Sequence, residues 1–403
     1  MSDNEVKNTG KPWKSVEALP AEGRVEALYV HVPFCLHKCE YCDFYSLAGA
    51  SLAAMTAYVD AVLLEAGLWR EQLEDGEFDI RTVFIGGGTP TLLPVSLMRR
   101  LLTGLRRAIP MDGVDEWTVE ANPATVDADC CRMLLDEGVT RLSVGVQSLD
   151  DGELRMLGRT HTATDARRTV ETAMAEGFGR VSVDLIYGIP GQTQTAWRRN
   201  LERVVGMGLT HVSCYGLTYE EGTPLEKRRR GGGVASISEA EDLELFRLTG
   251  AVLEQAGLKR YEVSNYAVIG EECRHNLTYW RGGDYIGIGP AAASHLAGCR
   301  WKTPRNVESW QNAAVGQTLF AEDFERLTGG QRAAELAMLM LRTTEGLRYC
   351  VFARRLGQDA RKLFAIQLQR LAKEGIIQLN PYGAALTDRG LEIADTASLE
   401  FFA

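Results

Sequence analysis

The chain predicts an α/β fold, a partial (β/α)6 TIM-type barrel with a C-terminal winged-helix-like α/β domain. Three observations carry this. Short β-rich runs alternate with helical stretches through the first half of the sequence. The connections between runs are long, as parallel neighbours require. The last part reads helix, helix, then β-turn-β. An open doubly wound sheet is the alternative topology for the same alternation.

At 403 residues the chain is too long for one small domain. Hydrophobic residues at 45% and charged residues at 24% are ordinary globular values. Lys+Arg 44 against Asp+Glu 54 gives a net charge of −10. That balance repels phosphate backbones and argues against nucleic acid as a partner. No uninterrupted apolar run reaches the ~18 residues of a membrane span. The polar opening shows neither a signal-peptide core nor an Arg-rich transit pattern, so a cytoplasmic location is expected.

In chain order, residues 1–23 read as a disordered polar tail. The barrel is expected over 24–260, with β runs at 27–32, 82–85, 117–120, 141–146, 181–186 and 211–217. Helical patterns fall between them at 52–73, 97–108, 127–137, 164–176 and 195–206. The basic run at 227–230, followed by three glycines, predicts a loop, and a helix is expected over 239–255. Residues 261–325 show little periodicity and read as a connecting segment. In the C-terminal domain, 326–403, helices at 332–342 and 359–374 precede a hairpin over 376–387 that bends at Asn380-Pro381-Tyr382-Gly383. Winged helices often bind DNA, but the acidic balance favours a packing or lid role.

Nine cysteines, an odd number, argue for reduced thiols. Six are scattered and read as small buried hydrophobes. Cys35, Cys39 and Cys42 lie together just after the first β run, at the end where barrel enzymes place their active sites. Three thiolates within eight residues can wrap one soft metal centre. Structural zinc wants four ligands, usually as two close pairs, and no second pair occurs nearby; His37 would complete only a cramped site. A four-iron cluster held by three cysteines keeps one iron open to a chelating ligand. The Cys-x3-Cys-x2-Cys spacing, with Tyr41 before the last cysteine, is the radical S-adenosylmethionine (SAM) pattern.

Polar residues end the successive runs: Gly86-Gly87-Gly88-Thr89-Pro90-Thr91 after the second, Glu120 in the third, Gln147 after the fourth, and Asp184 in the fifth. Such residues converge on one mouth of a barrel. The glycine-rich turn is expected to offer exposed N–H and C=O groups to an amino-acid moiety. Arg159 reads equally as a cation for a carboxylate or as a surface helix-end arginine.

These motifs resemble the HemN/HemW branch of radical SAM proteins. The resemblance rests on residues 29–46, the glycine-rich turn, Glu120-Ala121-Asn122-Pro123, Gly145-Val146-Gln147-Ser148 and 184–191, and runs from about residue 24 to the end. It implies cluster ligation by Cys35, Cys39 and Cys42. It implies SAM contacts at Tyr29, Tyr41, Gly87, Gly88, Thr89, Glu120, Gln147, Arg159 and Asp184. Within the branch, the oxygen-independent coproporphyrinogen III oxidases carry a fourth cysteine where this sequence has Phe44, and a longer N-terminal arm. The HemW haem chaperones have Phe there and a His-Asn-x-x-Tyr-Trp motif, present here as His275, Asn276, Tyr279 and Trp280.

A neutral imidazole can ligate haem iron and the two aromatics can pack on a porphyrin. Read alone, the same residues describe an irregular segment filling a gap between domains; with the resemblance, haem binding is expected. His295, beyond the Gly287-Ile288-Gly289 turn, reads as a structural histidine and only a weaker haem-ligand candidate. The resemblance further implies a [4Fe–4S] cluster, SAM and haem as cofactors, and respiratory-chain apo-haemoproteins as recipients. It implies an electron donor such as flavodoxin or ferredoxin, and a monomer or homodimer. In this branch the cluster accompanies assembly and haem transfer rather than a settled radical reaction; oxidation of coproporphyrinogen III is the alternative.

Overall fold

A computed structural model describes residues 24–402, so the expected tail over 1–23 lies outside the described residues. Strands β1 (Val25–Val32), β2 (Phe78–Gly87), β3 (Glu116–Ala121), β4 (Arg141–Gln147), β5 (Val181–Tyr187) and β6 (His211–Gly216) lie side by side in that order. All are parallel. They are the six runs read from the sequence, each extended by a residue or more at one or both ends, except that the last run ends a residue short of its expected end. Helices α1 (Leu52–Gln72), α2 (Val95–Ala108), α3 (Ala128–Asp136), α4 (Asp151–Met156), α5 (Ala163–Ala175) and α6 (Gln194–Val205) fill the crossovers. Side chains fix where these helices begin. Ser51, Asp127, Thr162 and Thr193 each accept a hydrogen bond from a first-turn N–H, satisfying donors that lack intrahelical partners.

Between the barrel and the C-terminal region, two features depart from the sequence reading. The basic run at 227–230 is helical: α7 (Pro224–Arg230) starts at the cap Thr223, with Pro224 preset for a first turn. Residues 261–325 are ordered rather than irregular. After α8 (Glu239–Gln255) comes an edge hairpin, in which β8 (Asn265–Ala267) pairs antiparallel with β6 and β7 (Lys259–Arg260) pairs antiparallel with β8. Helix α9 (Arg274–Trp280) follows, and β9 (Asp284–Ile288) then pairs parallel with the other side of β1. Strands β10 (Ala293–Leu296), β11 (Cys299–Lys302) and β12 (Glu322–Arg326) continue antiparallel from it, with α10 (Val307–Val315) before β12. The result is a twelve-stranded, partly closed sheet with seven parallel strands at its centre.

Helix α1 is long and apolar enough, by composition alone, to cross a membrane. Its buried face carries Tyr58, Val59, Val62 and Trp69 into the main core. Its buried Glu65 accepts hydrogen bonds from the Gly289 N–H at 2.9 Å and the Trp310 indole N–H at 2.8 Å. A carboxylate so bound belongs in a protein core, not in hydrocarbon.

The C-terminal region has a hydrophobic core of its own around Leu336, Met340, Phe352, Phe364 and Phe401. Helix α11 (Gly329–Leu341) and α12 (Tyr349–Leu356) lead to Ala360–Leu363 and Ala365–Lys373, so the helix expected over 359–374 is broken at Phe364. The hairpin Ile377–Asn380 and Gly383–Leu386 pairs with Leu347–Arg348, completing a winged-helix-like unit. Five of the six scattered cysteines are buried; Cys350 is exposed, against expectation.

Trp197 of α6 is fully buried and donates to the Thr249 hydroxyl of α8 at 2.9 Å, locking the two helices together. Trp197→Ala is expected to cost about 3–5 kcal/mol of unfolding free energy. Urea unfolding monitored by circular dichroism checks this.

Candidate functional site

Above β1 the chain passes Pro33 into a loop that carries the three clustered thiols. The loop is held from several sides. Phe34–Cys35 pairs with Leu47–Ala48, the Glu40 N–H donates to the Leu157 carbonyl at 3.1 Å, and the Leu225 N–H donates to the Glu40 carbonyl at 2.9 Å. The glycine-rich turn clamps its root: the Gly88 N–H reaches the Val32 carbonyl at 2.8 Å and the Thr89 N–H reaches the Phe34 carbonyl at 2.7 Å. This contact explains the glycines. A Cβ on Gly88 would lie 2.7 Å from the Phe34 carbonyl oxygen, and Gly87, at φ +107°, backs directly onto the His31 ring. With the Gly87 N–H donating to Glu120 at 3.0 Å, the three N–H groups are engaged within the protein. These N–H groups therefore serve as a structural clamp, while the turn itself still lines the cavity described next.

Cys35, Cys39 and Cys42 are all partly exposed and line one cavity of about 140 Å3. The same cavity is lined by Tyr41, Gly87, Gly88, Thr89, Glu120, Gln147, Arg159 and Asp184. Tyr29 is absent from this lining; its hydroxyl bonds the His31 Nδ1 at 2.9 Å beneath the cavity. Arg159 faces inward, not to the surface. It donates to the Gly145 carbonyl at 2.7 Å and to the Cys39 sulfur at 3.4 Å, and its buried Nε has no partner. Gln147 adopts φ +65°, a left-handed conformation uncommon for a side chain of this kind.

The electrostatics of the cavity are set by burial. Desolvation, then the neighbouring Asp184, pushes the Glu120 carboxyl up to about 8. Asp184 is also raised by burial, despite hydrogen bonds from Ser213 and Ser143. Burial pushes the Cys42 thiol up to about 11 and raises Cys35. Two buried carboxyls facing an inward guanidinium suit a ligand bearing both a cationic and a carboxylate end.

This cavity opens into a second one of about 520 Å3 that descends through the barrel. The two share Tyr41, Cys42 and Phe44 of the loop and Glu120, Ser143, Gln147 and Asp184 of the barrel strands. The lower walls add Thr118, Arg141, Ser182, His211 and Ser213, which the sequence reading missed. Their signal was a period of two: Arg141, Ser143 and Gln147 in β4, and Ser182 and Asp184 in β5, alternate with apolar residues that face the helices. At the floor, Arg141 forms a buried ion pair with Glu116 at 3.0 Å and donates to the Glu271 and Glu272 carbonyls at 3.0 and 3.2 Å.

The His-Asn-x-x-Tyr-Trp motif forms α9 and is dispersed by the fold. His275 is 1% exposed; its Nδ1 bonds the Thr82 hydroxyl at 2.9 Å and its Nε2 bonds the Tyr279 hydroxyl at 2.7 Å. Burial pushes its pKa down to about 3. In this conformation both nitrogens are engaged within the protein, and the imidazole packs as a strut in the barrel wall. Asn276 lines the large barrel cavity, Tyr279 lines a separate one, and Trp280 packs under the Arg342 guanidinium at 5.2 Å.

Residues 29–204 match the radical SAM superfamily, and residues 327–393 match the HemN C-terminal domain. The heme chaperone HemW of Lactococcus lactis is 32% identical over 374 residues, 93% of this chain and 96% of that protein. The HemW of Mycobacterium tuberculosis is 34% identical over 379 residues, 93% and 94% of the two chains. The chain belongs to the HemW family. Among solved structures, the coproporphyrinogen III oxidase HemN of Escherichia coli covers 94% of this chain and 90% of its own, with a TM-score of 0.81. At 22% identity that likeness shows the shared fold.

A radical SAM fold in the HemW family implies a [4Fe–4S] cluster and SAM. The residues present fit both: three part-exposed thiols on one loop, beside an inward guanidinium with an orphaned N–H and two buried carboxyls. Phe44, two residues after Cys42, is 68% exposed beside these thiols.

The raised Glu120 carboxyl makes a pH prediction. Folded Glu120 keeps its proton to about pH 8, whereas an ordinary glutamate releases it near 4.5. Its contribution to stability is thus present at low pH and lost as pH rises between those values. The melting temperature of the unliganded chain minus that of Glu120→Gln should fall steadily across this window. A pH-independent difference contradicts the assignment.

Proposed function

We propose that this chain is a cytoplasmic haem chaperone that holds a [4Fe–4S] cluster and SAM in its barrel and delivers haem to respiratory apo-haemoproteins. The observation that carries the reading is the match across 93% of the chain to proteins named heme chaperone HemW. Phe44 adds to it, because the oxidase alternative calls for a cysteine there.

In this reading Cys35, Cys39 and Cys42 hold the cluster. When bound, the cluster supplies a chelation site for the amino and carboxylate groups of SAM and a source of one electron. The chain's own residues position the ligand. Arg159 neutralises negative charge beside Cys39, and its unpartnered Nε can donate to a carboxylate. Glu120 and Asp184 can accept from hydroxyl or ammonium groups. Glu120 is fixed through the Gly87 N–H and Asp184 through the Ser143 hydroxyl at 3.3 Å. The clamp of Gly88 and Thr89 on Val32 and Phe34 keeps the thiol loop over the barrel mouth without a ligand's help.

Single replacement of Cys35, Cys39 or Cys42 by Ala should abolish the broad iron–sulfur absorbance of anaerobically reconstituted protein. Retention of a full four-iron spectrum in any of the three overturns the ligand assignment. For the function itself, haem-loaded chain is mixed with an apo-haemoprotein and the haem followed by absorbance. Transfer at a rate above that of free haem is expected. Conversion of coproporphyrinogen III to protoporphyrinogen with SAM turnover would replace the chaperone reading by the oxidase one.

A further inference from the structure

The junction between the barrel sheet and the C-terminal unit contains a cavity of about 300 Å3. Its floor is aromatic: Tyr279 meets Tyr285 edge to face at 4.5 Å, and Tyr285 lies 6.2 Å from the His295 ring. The opposite wall is the apolar face of α11 and α12, with Leu336, Leu339 and Leu356. Arginines ring it. Arg300 is paired with Glu325 and Glu335, and Arg355 with Glu26, while Arg332 has no ion-pair partner among the described residues.

Within this cavity His295 differs from three of the four buried histidines; the fourth, His161, also has one unpartnered ring nitrogen, but that nitrogen is sealed from solvent. His31, His211 and His275 have both ring nitrogens hydrogen-bonded. The Nδ1 of His295 lies 3.3 Å from the Asp284 carboxylate, which the Ala297 N–H anchors at 3.0 Å. Among the described residues no hydrogen bond engages its Nε2. The carboxylate beside Nδ1 favours the tautomer with the proton on that nitrogen, which leaves Nε2 as a lone-pair donor for a metal. The side chain is 14% exposed, enough to be reached from the cavity and too little to be a free surface imidazole.

We propose that this junction is the haem site, with His295 Nε2 as the axial ligand of the iron, Asp284 as its positioning residue and Arg332 facing a propionate. The inference rests on the haem-carrier reading and names the site within it. The cavity is at the lower end of small-molecule pockets. It takes one edge of the macrocycle and leaves the rest open, as suits cargo that must be released. The motif contributes indirectly: Tyr279 forms the floor, and His275 holds the Tyr279 hydroxyl in place.

Ferric haem is titrated into full-length wild-type chain, His295→Gln, His295→Gly and His275→Ala, with folding checked by circular dichroism. Wild type should show the Soret band of histidine-ligated haem. His295→Gln should shift that band and weaken affinity at least tenfold, and added imidazole should restore the band in His295→Gly. His275→Ala should keep the wild-type band position, which reports the ligand, while weakening affinity through the loosened Tyr279. Arg332→Ala should weaken binding several-fold with an unchanged band. Haem binding by wild type with an identical spectrum and affinity in His295→Gln overturns this site while leaving the carrier reading intact. No haem binding by wild type overturns both.

Discussion

The contact on which the site depends is a backbone one. Gly88 and Thr89 donate to the Val32 and Phe34 carbonyls, joining the top of β2 to the chain as it leaves β1. Two parallel strands in register to Val32 and Gly87 bring these groups together. Only a turn without side chains allows the approach, because a Cβ at either glycine would strike the Phe34 carbonyl or the His31 ring. Everything that follows Pro33, including all three clustered thiols, takes its position from that clamp. The Glu40 contacts to Leu157 and Leu225 then hold the loop's far side against α4 and α7.

Beneath the loop the sheet obeys a second constraint. Parallel strands covered on both faces are usually apolar throughout. Here the outward residues are apolar and pack under the helices, while the inward ones are Thr118, Glu120, Arg141, Ser143, Asp184, His211 and Ser213. Burying such groups costs free energy unless they are paired. The Glu116–Arg141 ion pair and the Ser182–His211 bond at 2.7 Å meet part of that cost. The Thr118 hydroxyl and Arg141 Nη1 remain without partners. A barrel with a polar, incompletely satisfied interior is built to receive a hydrophilic ligand, and the SAM-type cavity opens directly into it.

Much of this was legible in the sequence because it is local. The six barrel strands are short β-branched runs, and most of their helices start at Ser, Thr or Asp caps that can be read directly. The cysteine spacing marks its own loop. What was not legible depends on distant partners. Strand β9 has five residues with a glycine at the fourth, and only its pairing with β1, more than two hundred residues earlier, makes it a strand. The sequence shows that His275 exists; that Thr82 and Tyr279 use both its nitrogens follows from packing a helix against β2. Arg159 could be a surface residue or a site residue until Gly145 and Cys39 are seen beside it. Helix α7 is a different case: its Thr223-Pro224 start was a readable signal, masked by the arginine run and the glycines after it.

The most direct measurement is elemental. Iron, acid-labile sulfide and zinc are quantified on the chain isolated without oxygen. About four irons and four sulfides per chain, with negligible zinc, are expected for a cube held by three thiolates. Zinc bound at these cysteines, with no labile sulfide, contradicts the cluster and with it the SAM site built around it.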